Sequence, residues 1–172
     1  MNPKSFLYPV VYSTLIIIAT CITFYSGFIN YINTVTIIGW LMIIPFCVLA
    51  MLYAKKEMYH GNIGGKDAVK EGLKFIVFST VILVIFQMIF FTVDFKAYKI
   101  NFIQTYGFEL AKTQIKNGHL KITEAEIPNL IQKEIGQVTL FKECTSIVFK
   151  NLFLGTITSV ICAVTLRARL RP

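Results

Sequence analysis

Four long runs of apolar residues dominate the chain, and each is long enough to cross a membrane as a helix. A hydrocarbon core of ~30 Å requires about 20 residues of α-helix. The first half of the chain has no charged residue between Ser5 and Ala54, which an ordinary water-facing surface would not allow. The pattern therefore predicts an all-α integral membrane protein with four transmembrane helices. The predicted spans are Val10–Ile29, Val35–Ala54, Phe75–Val93 and Ile147–Leu166.

Turn residues and isolated polar residues add detail to this layout. The segment Asn30–Thr34 predicts a turn so short that the first two helices pack antiparallel. Pro45 lies inside the second span and predicts a kink, because proline has no backbone N–H to donate. Gln87 is the one strongly polar residue inside the third span, and its amide is expected to bond to another helix. The alternative is that Gln87, Pro45 and Asn151 line a substrate pathway.

The segment Asp94–Ser146 is the one long charged stretch, and its apolar residues recur at helical spacing. Asn117 and Gly118 predict the end of a helix that extends the third span. Thr123 and Glu126 match a capping box, which predicts the start of a second helix. An outer helical hairpin, inserted into a single membrane domain of residues 1–172, is therefore expected. The two apolar stripes comprise Ile100, Ile103, Leu110 and Ala111, and then Ile127, Leu130, Ile131, Ile135 and Val138.

Small residues recur every four positions along the fourth span. Small side chains let two helix backbones approach closely, which is a common way for membrane helices to associate. The spacing predicts that Gly155 and Ser159 lie against another helix, either in this chain or in a second copy. The full face is Asn151, Gly155, Ser159 and Ala163.

The distribution of charge predicts the orientation in the membrane. Nine of the 17 basic residues and three of the nine acidic ones flank the inner ends of the spans. The segment Asp94–Ser146 is more balanced, with seven basic and six acidic residues. Lysine and arginine are enriched on the cytoplasmic side of membrane proteins. Both termini are therefore expected in the cytoplasm and the hairpin in the periplasm.

A basic edge is predicted where the chain enters the third span. Lys66, Lys70 and Lys74 are four residues apart, so they share one side of a helix. On that helix Ala68, Leu73 and Phe75 are expected to face the membrane. Together with Lys55 and Lys56, the edge is expected to meet anionic membrane lipids or to dock a protein partner.

Candidate chemistry is sparse. The sequence GNIGGKD resembles a phosphate loop only superficially, since His60 and Asp67 stand where that loop needs glycine and serine or threonine. The four cysteines are isolated, and the role of Cys144 is open. No catalytic residues, cofactor site or metal site are predicted, so the chain is not expected to be an enzyme. The net charge is +8, and the basic residues flank apolar spans. Nucleic acid is therefore not an expected partner.

The central stretch carries a family resemblance. Gly61, Ile63, Ala68, Lys70 and Gly72 precede the third span, and Val93, Asp94 and Phe95 stand where that span gives way to the outer segment. In these residues the chain resembles the bacterial membrane-protein family called domain of unknown function 4199. The resemblance implies a multi-pass protein of the bacterial inner (cytoplasmic) membrane, in a family without an established activity. It also hints at a polyprenyl-phosphate-type glycosyltransferase as a partner.

These features favour a non-enzymatic accessory or scaffold subunit that holds a partner at the membrane. The partner would be a second protein, such as the glycosyltransferase, or further copies of this chain. The alternative is a component of a small oligomeric transporter or channel. Few polar residues are available to line such a pathway within one chain.

Overall fold

The computed structural model describes residues 6–26 and 31–168, without the side chains of residues 31–33 and 166–168. Within these ranges the chain is helical and contains no strand, which confirms the predicted all-α class. A π-helical turn, Phe91–Phe95, follows the third helix, and a short 3₁₀ turn, Glu124–Glu126, precedes the fifth. The six α-helices are α1 (Leu7–Tyr25), α2 (Tyr31–Glu57), α3 (Gly65–Phe90), α4 (Lys96–Lys116), α5 (Ile127–Gly136) and α6 (Leu140–Ala168).

Four helical stretches are long and apolar enough to cross a membrane, as the sequence pattern predicts. The third is much longer than its predicted span, because α3, the π-helical turn and α4 form one continuous helix. The chain therefore has the architecture of a multi-pass membrane protein. The stretches are Leu7–Tyr25, Thr34–Glu57, Gly65–Lys116 and Leu140–Thr165.

The connection between α1 and α2 differs from the predicted turn. Helix α2 begins at Tyr31, so Asn33 and Thr34 are helical, and Asn30 lies outside the described residues. Helix α2 then continues through Pro45 to Glu57. Pro45 is exposed on the outer surface of the bundle.

The described chain forms two compact units. One contains the residues up to Phe86 together with those from Ile147 onward, and we call it the bundle unit. The other is Gln87–Ser146, which we call the hairpin unit. The core of the bundle unit surrounds Tyr12, which is 1% exposed. The Tyr12 hydroxyl donates to the Gly39 carbonyl at 3.3 Å, and the Tyr12 ring lies 5.5 Å from the ring of Phe75.

Helices α3 and α6 meet at small residues in the bundle unit. A Cβ atom added to Gly155 would lie 2.3 Å from Ile76 Cδ1, and one added to Gly72 would lie 2.5 Å from Ser159 Oγ. Along this contact the residue number rises from Gly72 to Ile76 in α3 and falls from Ser159 to Gly155 in α6. The two helices are therefore antiparallel. The prediction that Gly155 and Ser159 lie against another helix is confirmed, and that helix is α3 of the same chain. We call this contact the small-residue seam.

Buried and half-buried hydroxyl groups in the bundle unit mostly bond within their own helix. Each donates to a main-chain carbonyl three or four positions earlier, at 2.7–3.0 Å. An exception is Ser13, whose hydroxyl donates to the Ser79 carbonyl of α3 at 3.2 Å. The hydroxyls that bond within a helix are those of Thr20, Thr23, Ser79, Thr158 and Ser159.

The outer surface of the bundle unit is apolar. Leu41 is 68% exposed, and Ile22 and Val164 are each 64% exposed. An apolar surface of this extent is not stable in water, so it belongs against lipid. The exposed side chains therefore support the assignment of these helices to a membrane.

The hairpin unit packs α4 against α5. Ala111, Ile127 and Val138 are buried, and Gly107 lets the side chain of Ile131 approach closely. These contacts agree with the two predicted stripes except at Leu110, which is 50% exposed. Ala111 follows Leu110 immediately in the helix, so the two side chains point about 100° apart and only Ala111 is on the buried side.

The ends of the hairpin helices have the predicted form. Gly118 has a φ angle of 73°, a left-handed conformation that ends α4. The Thr123 N–H donates to Glu126 Oε2 at 2.7 Å, which completes the predicted capping box. These hydrogen bonds from Thr123 lower the pKa of Glu126, the backbone bond most strongly. Helix α5 begins just after this box, at Ile127, with Pro128 in its first turn.

Candidate functional site at the start of helix α3

A tight connection brings α3 back beside the end of α2. His60 and Gly61 have φ angles of 48° and 88°, and the Gly61 N–H donates to the Lys55 carbonyl at 2.8 Å. Ile63 then enters the core of the bundle unit with an exposure of only 3%. This anchored turn fixes where the first residues of α3 lie.

Glu71, in the second turn of α3, is a buried carboxylate with an exposure of 5%. Lys74 Nζ lies 2.7 Å from Glu71 Oε1, and the Tyr59 hydroxyl donates to the same oxygen at 3.4 Å. Burial raises the pKa of Tyr59, and the nearby carboxylates of Glu71 and Asp67 raise it further. Glu71 is thus held as one member of an ion pair at the edge of the bundle.

A small pocket lies beside this ion pair, between α2 and α3. Its volume is about 20 Å³, which is space for one water-sized group. The hydroxyl of Tyr53 is buried here and has no hydrogen-bond partner among the described residues. The lining residues are Ala50, Tyr53, Ala54, Glu71, Lys74, Phe75 and Phe78. We call this the Glu71 pocket.

The structure divides the predicted basic edge into two parts. Lys66 and Lys70 are exposed, and neither forms an ion pair with a described residue. Lys74 is only 34% exposed in its side chain, and its charge is used by Glu71. At the end of α2, Lys56 is exposed and Lys55 is half-buried. The free part of the edge on α3 is therefore Lys66 and Lys70.

The predicted membrane face of α3 is corrected. Ala68 and Phe75 are 1% and 2% exposed and belong to the core of the bundle unit, while Leu73 is half-buried. Glu71 lies on that inward side, between Ala68 and Phe75 along the helix. The charge count includes Glu71 only as one of the three acidic residues that flank the inner ends of the spans, so its burial is not predicted from the sequence. The spacing of three and four residues from Ala68 to Glu71 and on to Phe75 was the available signal.

The other polar residues considered for a pathway are separate from the Glu71 pocket. Gln87 is buried and Cys144 is half-buried, and both belong to the hairpin unit. Asn151 is half-buried in the bundle unit, and its Nδ2 atom has no partner among the described residues. Within the described part of the chain, no group of three or more histidine, cysteine or acidic side chains is placed to hold a metal ion.

Most residues that carry the family resemblance have a structural reason for their identity. Gly61 has a left-handed backbone, and Ile63 and Ala68 are buried. Gly72 is too close to Ser159 to carry a side chain. Lys70 differs from these four because it is exposed and packs against nothing in the core. Its identity is not explained by the fold of this unit.

Comparison with known proteins gives one match. The model of the family described as Protein of unknown function (DUF4199) matches residues 7–168, which is nearly the whole chain. No curated protein and no solved structure matches the chain. The matched region includes all six helices and the Glu71 pocket. The chain therefore belongs to the DUF4199 family.

Proposed function

We propose that the protein is a non-enzymatic accessory or scaffold subunit of the bacterial inner membrane, which holds a partner protein through Lys66 and Lys70. The observation that carries this proposal is the exposure of these two lysines beside a buried, self-neutralised Glu71–Lys74 pair. The same short helical segment thus contains one pair of charges used by the fold and two charges that the fold does not use.

The position of the two lysines within α3 supports a role outside the fold. The N-terminal end of a helix carries a partial positive charge, so cations there are unfavourable by roughly 0.3–1 kcal/mol. Lys66 is the second residue of α3 and Lys70 is in the second turn, and Asp67 offsets them only in part. Two lysines that do not stabilise their own helix are suited to an acidic surface on another molecule.

The partner suggested by the family resemblance is a glycosyltransferase that acts on a polyprenyl-phosphate-linked substrate. Anionic lipid is the simpler binding partner, since each lysine near such a membrane contributes about 1 kcal/mol. The two differ in geometry. Lipid attraction depends on how many basic residues lie near the surface, whereas protein docking depends on which residues they are. The cytoplasmic position of this edge rests on the distribution of lysine and arginine.

A matched pair of double variants tests the proposal. Lys66→Glu with Lys70→Glu reverses the free charges on α3, and Lys55→Glu with Lys56→Glu makes the same change in net charge at the end of α2. Each variant is purified from its own membranes, and the co-purified glycosyltransferase is quantified against wild type. The loss of co-purified glycosyltransferase is expected to be about ten times larger for the α3 variant than for the α2 variant, as for a desolvated charged contact.

Membrane content and binding to vesicles that contain anionic lipid are measured on the same variants. Equal loss of partner from both variants, in step with equal loss of vesicle binding, would assign the lysines to lipid alone. If no glycosyltransferase co-purifies with the wild-type protein, a glycosyltransferase is not the partner. Unchanged recovery from the α3 variant would reject Lys66 and Lys70 as the docking site.

A component of a small oligomeric transporter or channel is the second candidate, and one observation favours it. Thr80 Oγ1 and Asn151 Nδ2 are buried without partners among the described residues, and continuing the antiparallel seam by one more step of four residues would bring Thr80 to the level of Asn151. Unpaired polar atoms inside a membrane bundle are typical of a conducting or binding site. Ion flux into vesicles that contain the purified protein, abolished by Asn151→Leu, would support this candidate over the first.

A further inference from the structure

The Glu71 pocket has hydrogen-bonding capacity that the protein leaves unused. The Tyr53 hydroxyl is buried without a partner among the described residues. Glu71 is 5% exposed and lines the pocket, yet its bonds from Lys74 and Tyr59 all go to Oε1. Glu71 Oε2 is thus left as an acceptor. A buried polar group without a partner destabilises a protein unless a ligand or water completes it.

The charges of the pocket limit the ligand that can complete it. Glu71 and Lys74 neutralise each other at 2.7 Å, so a ligand with a net charge gains little from the pair. A ligand that carries both a cationic donor and an anionic acceptor matches both members. The donor would bond to Glu71 Oε2 and to the Tyr53 hydroxyl oxygen inside the pocket, and the acceptor would meet the remaining N–H groups of Lys74, whose side chain is 34% exposed.

Size and location narrow the ligand further. A volume of about 20 Å³ admits a primary ammonium group, which is close to water in size, and excludes a trimethylammonium group. The remaining walls are apolar, formed by Ala50, Phe75 and Phe78 among others. The pocket lies where the apolar run of α3 begins, which is the level at which lipid headgroups meet a membrane helix.

We propose that the Glu71 pocket binds the headgroup of an ethanolamine phospholipid. The ammonium group of the lipid enters the pocket and donates to Glu71 Oε2 and to the Tyr53 hydroxyl oxygen, and its phosphate stays outside and accepts from the partly exposed Lys74 Nζ. The acyl chains extend along the exposed apolar surface of the bundle unit. This site does not use Lys66 or Lys70, so it stands apart from the docking of a protein partner.

Native mass spectrometry of the detergent-purified protein tests the headgroup directly. The probes are dioleoyl phosphatidylethanolamine, its monomethyl and dimethyl derivatives, and dioleoyl phosphatidylcholine, which share identical acyl chains. Lipid binding is expected to weaken with each added methyl group, with a total loss of about a hundredfold or more for two charged hydrogen bonds replaced by none. Soluble glycerophosphoethanolamine is added as a competitor, and at equal concentration it should displace little lipid.

Variants of the protein test which pocket atoms contact the lipid headgroup. Tyr53→Phe is expected to weaken ethanolamine-lipid binding about fivefold, as for one hydrogen bond. It should leave phosphatidylcholine binding and the stability of the lipid-free protein unchanged or slightly higher, because the hydroxyl has no partner there. Glu71→Gln should reduce the preference for the ethanolamine lipid, because the carboxylate that accepts from its ammonium group is lost. Tyr106→Phe and Glu57→Gln remove the same groups at exposed positions and serve as controls.

Three results would overturn the proposal. Equal binding of the ethanolamine and choline lipids by wild type would mean that the pocket holds only water. Full displacement by glycerophosphoethanolamine would mean that it takes a soluble amine and not a lipid. A Tyr53→Phe variant that folds and binds the ethanolamine lipid like wild type would remove the hydroxyl from the site.

Discussion

The bundle unit and the hairpin unit differ in the polar residues that they bury and in the surface that they expose. Beside its apolar core, the bundle unit buries serine, threonine and glycine at its helix contacts, and it exposes leucine, isoleucine and valine. The hairpin unit buries apolar side chains such as Ile127 and Val138. Its exposed surface along α4 and α5 carries lysine and glutamate, including the exposed Lys112–Glu124 pair with a separation of 3.6 Å.

The contrast is the one expected between helices that pack in a membrane and helices that pack in water. When the surroundings are as apolar as the interior, burial of apolar area provides no driving force between helices, and close packing and hydrogen bonds decide which sides meet. In water the apolar stripe of a helix is itself the driving force. An apolar side chain therefore predicts a helix contact in the hairpin unit but does not predict one in the bundle unit.

The largest expected effect comes from breaking the small-residue seam. Gly155→Leu places a side chain where even a Cβ lies 2.3 Å from Ile76 Cδ1, so the helices must separate. We expect the free energy of unfolding to fall by about 3 kcal/mol or more, as in severe overpacking, with a lower melting temperature in detergent. Gly136→Leu in the hairpin unit has free space around its Cβ and is the control. Equal melting temperatures for both variants would contradict the role of size at the seam.

The next effect removes apolar contact from the hairpin unit. Ile127 is fully buried, and Ile127→Ala should destabilise the hairpin by about 2–3 kcal/mol through lost contact and a cavity. Hydrogen exchange should show the loss of protection in α5 and the end of α4, with α1 and α2 unchanged. The exposed Ile157→Ala in α6 should have little effect. Loss of protection throughout the chain would mean that the two units do not unfold separately.

The next effect concerns ion pairs, of which the bundle unit has a buried one and the hairpin unit an exposed one. Lys74→Met leaves the buried Glu71 carboxylate without its main partner, and we expect a loss of about 1–2 kcal/mol, reduced from the fully buried case because Lys74 is partly exposed. Lys112→Met breaks an exposed pair and should cost about 0.5 kcal/mol or less. Thermal unfolding of both variants measures the difference. The reverse order would show that the Glu71 pocket is open to water.

The smallest effect is the pH dependence of the capping box. Hydrogen bonds from Thr123 lower the pKa of Glu126, so its stabilisation is complete above the ordinary glutamate pKa of about 4.3 and is lost as the pH falls through the lowered pKa. Amide exchange at the start of α5 should therefore speed up in acid, after correction for the intrinsic rate. Glu126→Gln retains a capping side chain without a titration, and a profile identical to wild type would assign the effect to another carboxylate.

Sequence patterns predicted the membrane helices and the hairpin because each has a local physical cause. Length and apolarity mark a span, and Thr123 with Glu126 marks a helix start. The four-residue spacing from Asn151 to Ala163 predicted the seam at Gly155 and Ser159. In a membrane protein, small residues mark helix contacts and apolar residues do not. Which helix would meet that face depends on the packing of the whole bundle, so α3 could not be identified from the spacing alone.

The Glu71 pocket was less predictable. Ala68 and Phe75 could equally face lipid or protein by their polarity, and they turned out to belong to the core. The burial of Glu71 depends on that choice, because it shares their side of α3. Its partner Lys74 is a neighbour in sequence, but Tyr59 and Tyr53 arrive only through the tight return of the chain at Gly61. Such contacts follow from tertiary structure.

The hydroxyl groups that bond within their own helices affect how the protein is assembled. Thr20, Thr158 and Ser159 bring their acceptor with them, one turn away on the same helix. Each segment can thus enter the bilayer singly during synthesis with these groups already satisfied. Association of the inserted segments then requires few exchanges of hydrogen-bond partners, and Ser13 is among the groups that gain a bond to another helix only at that later step.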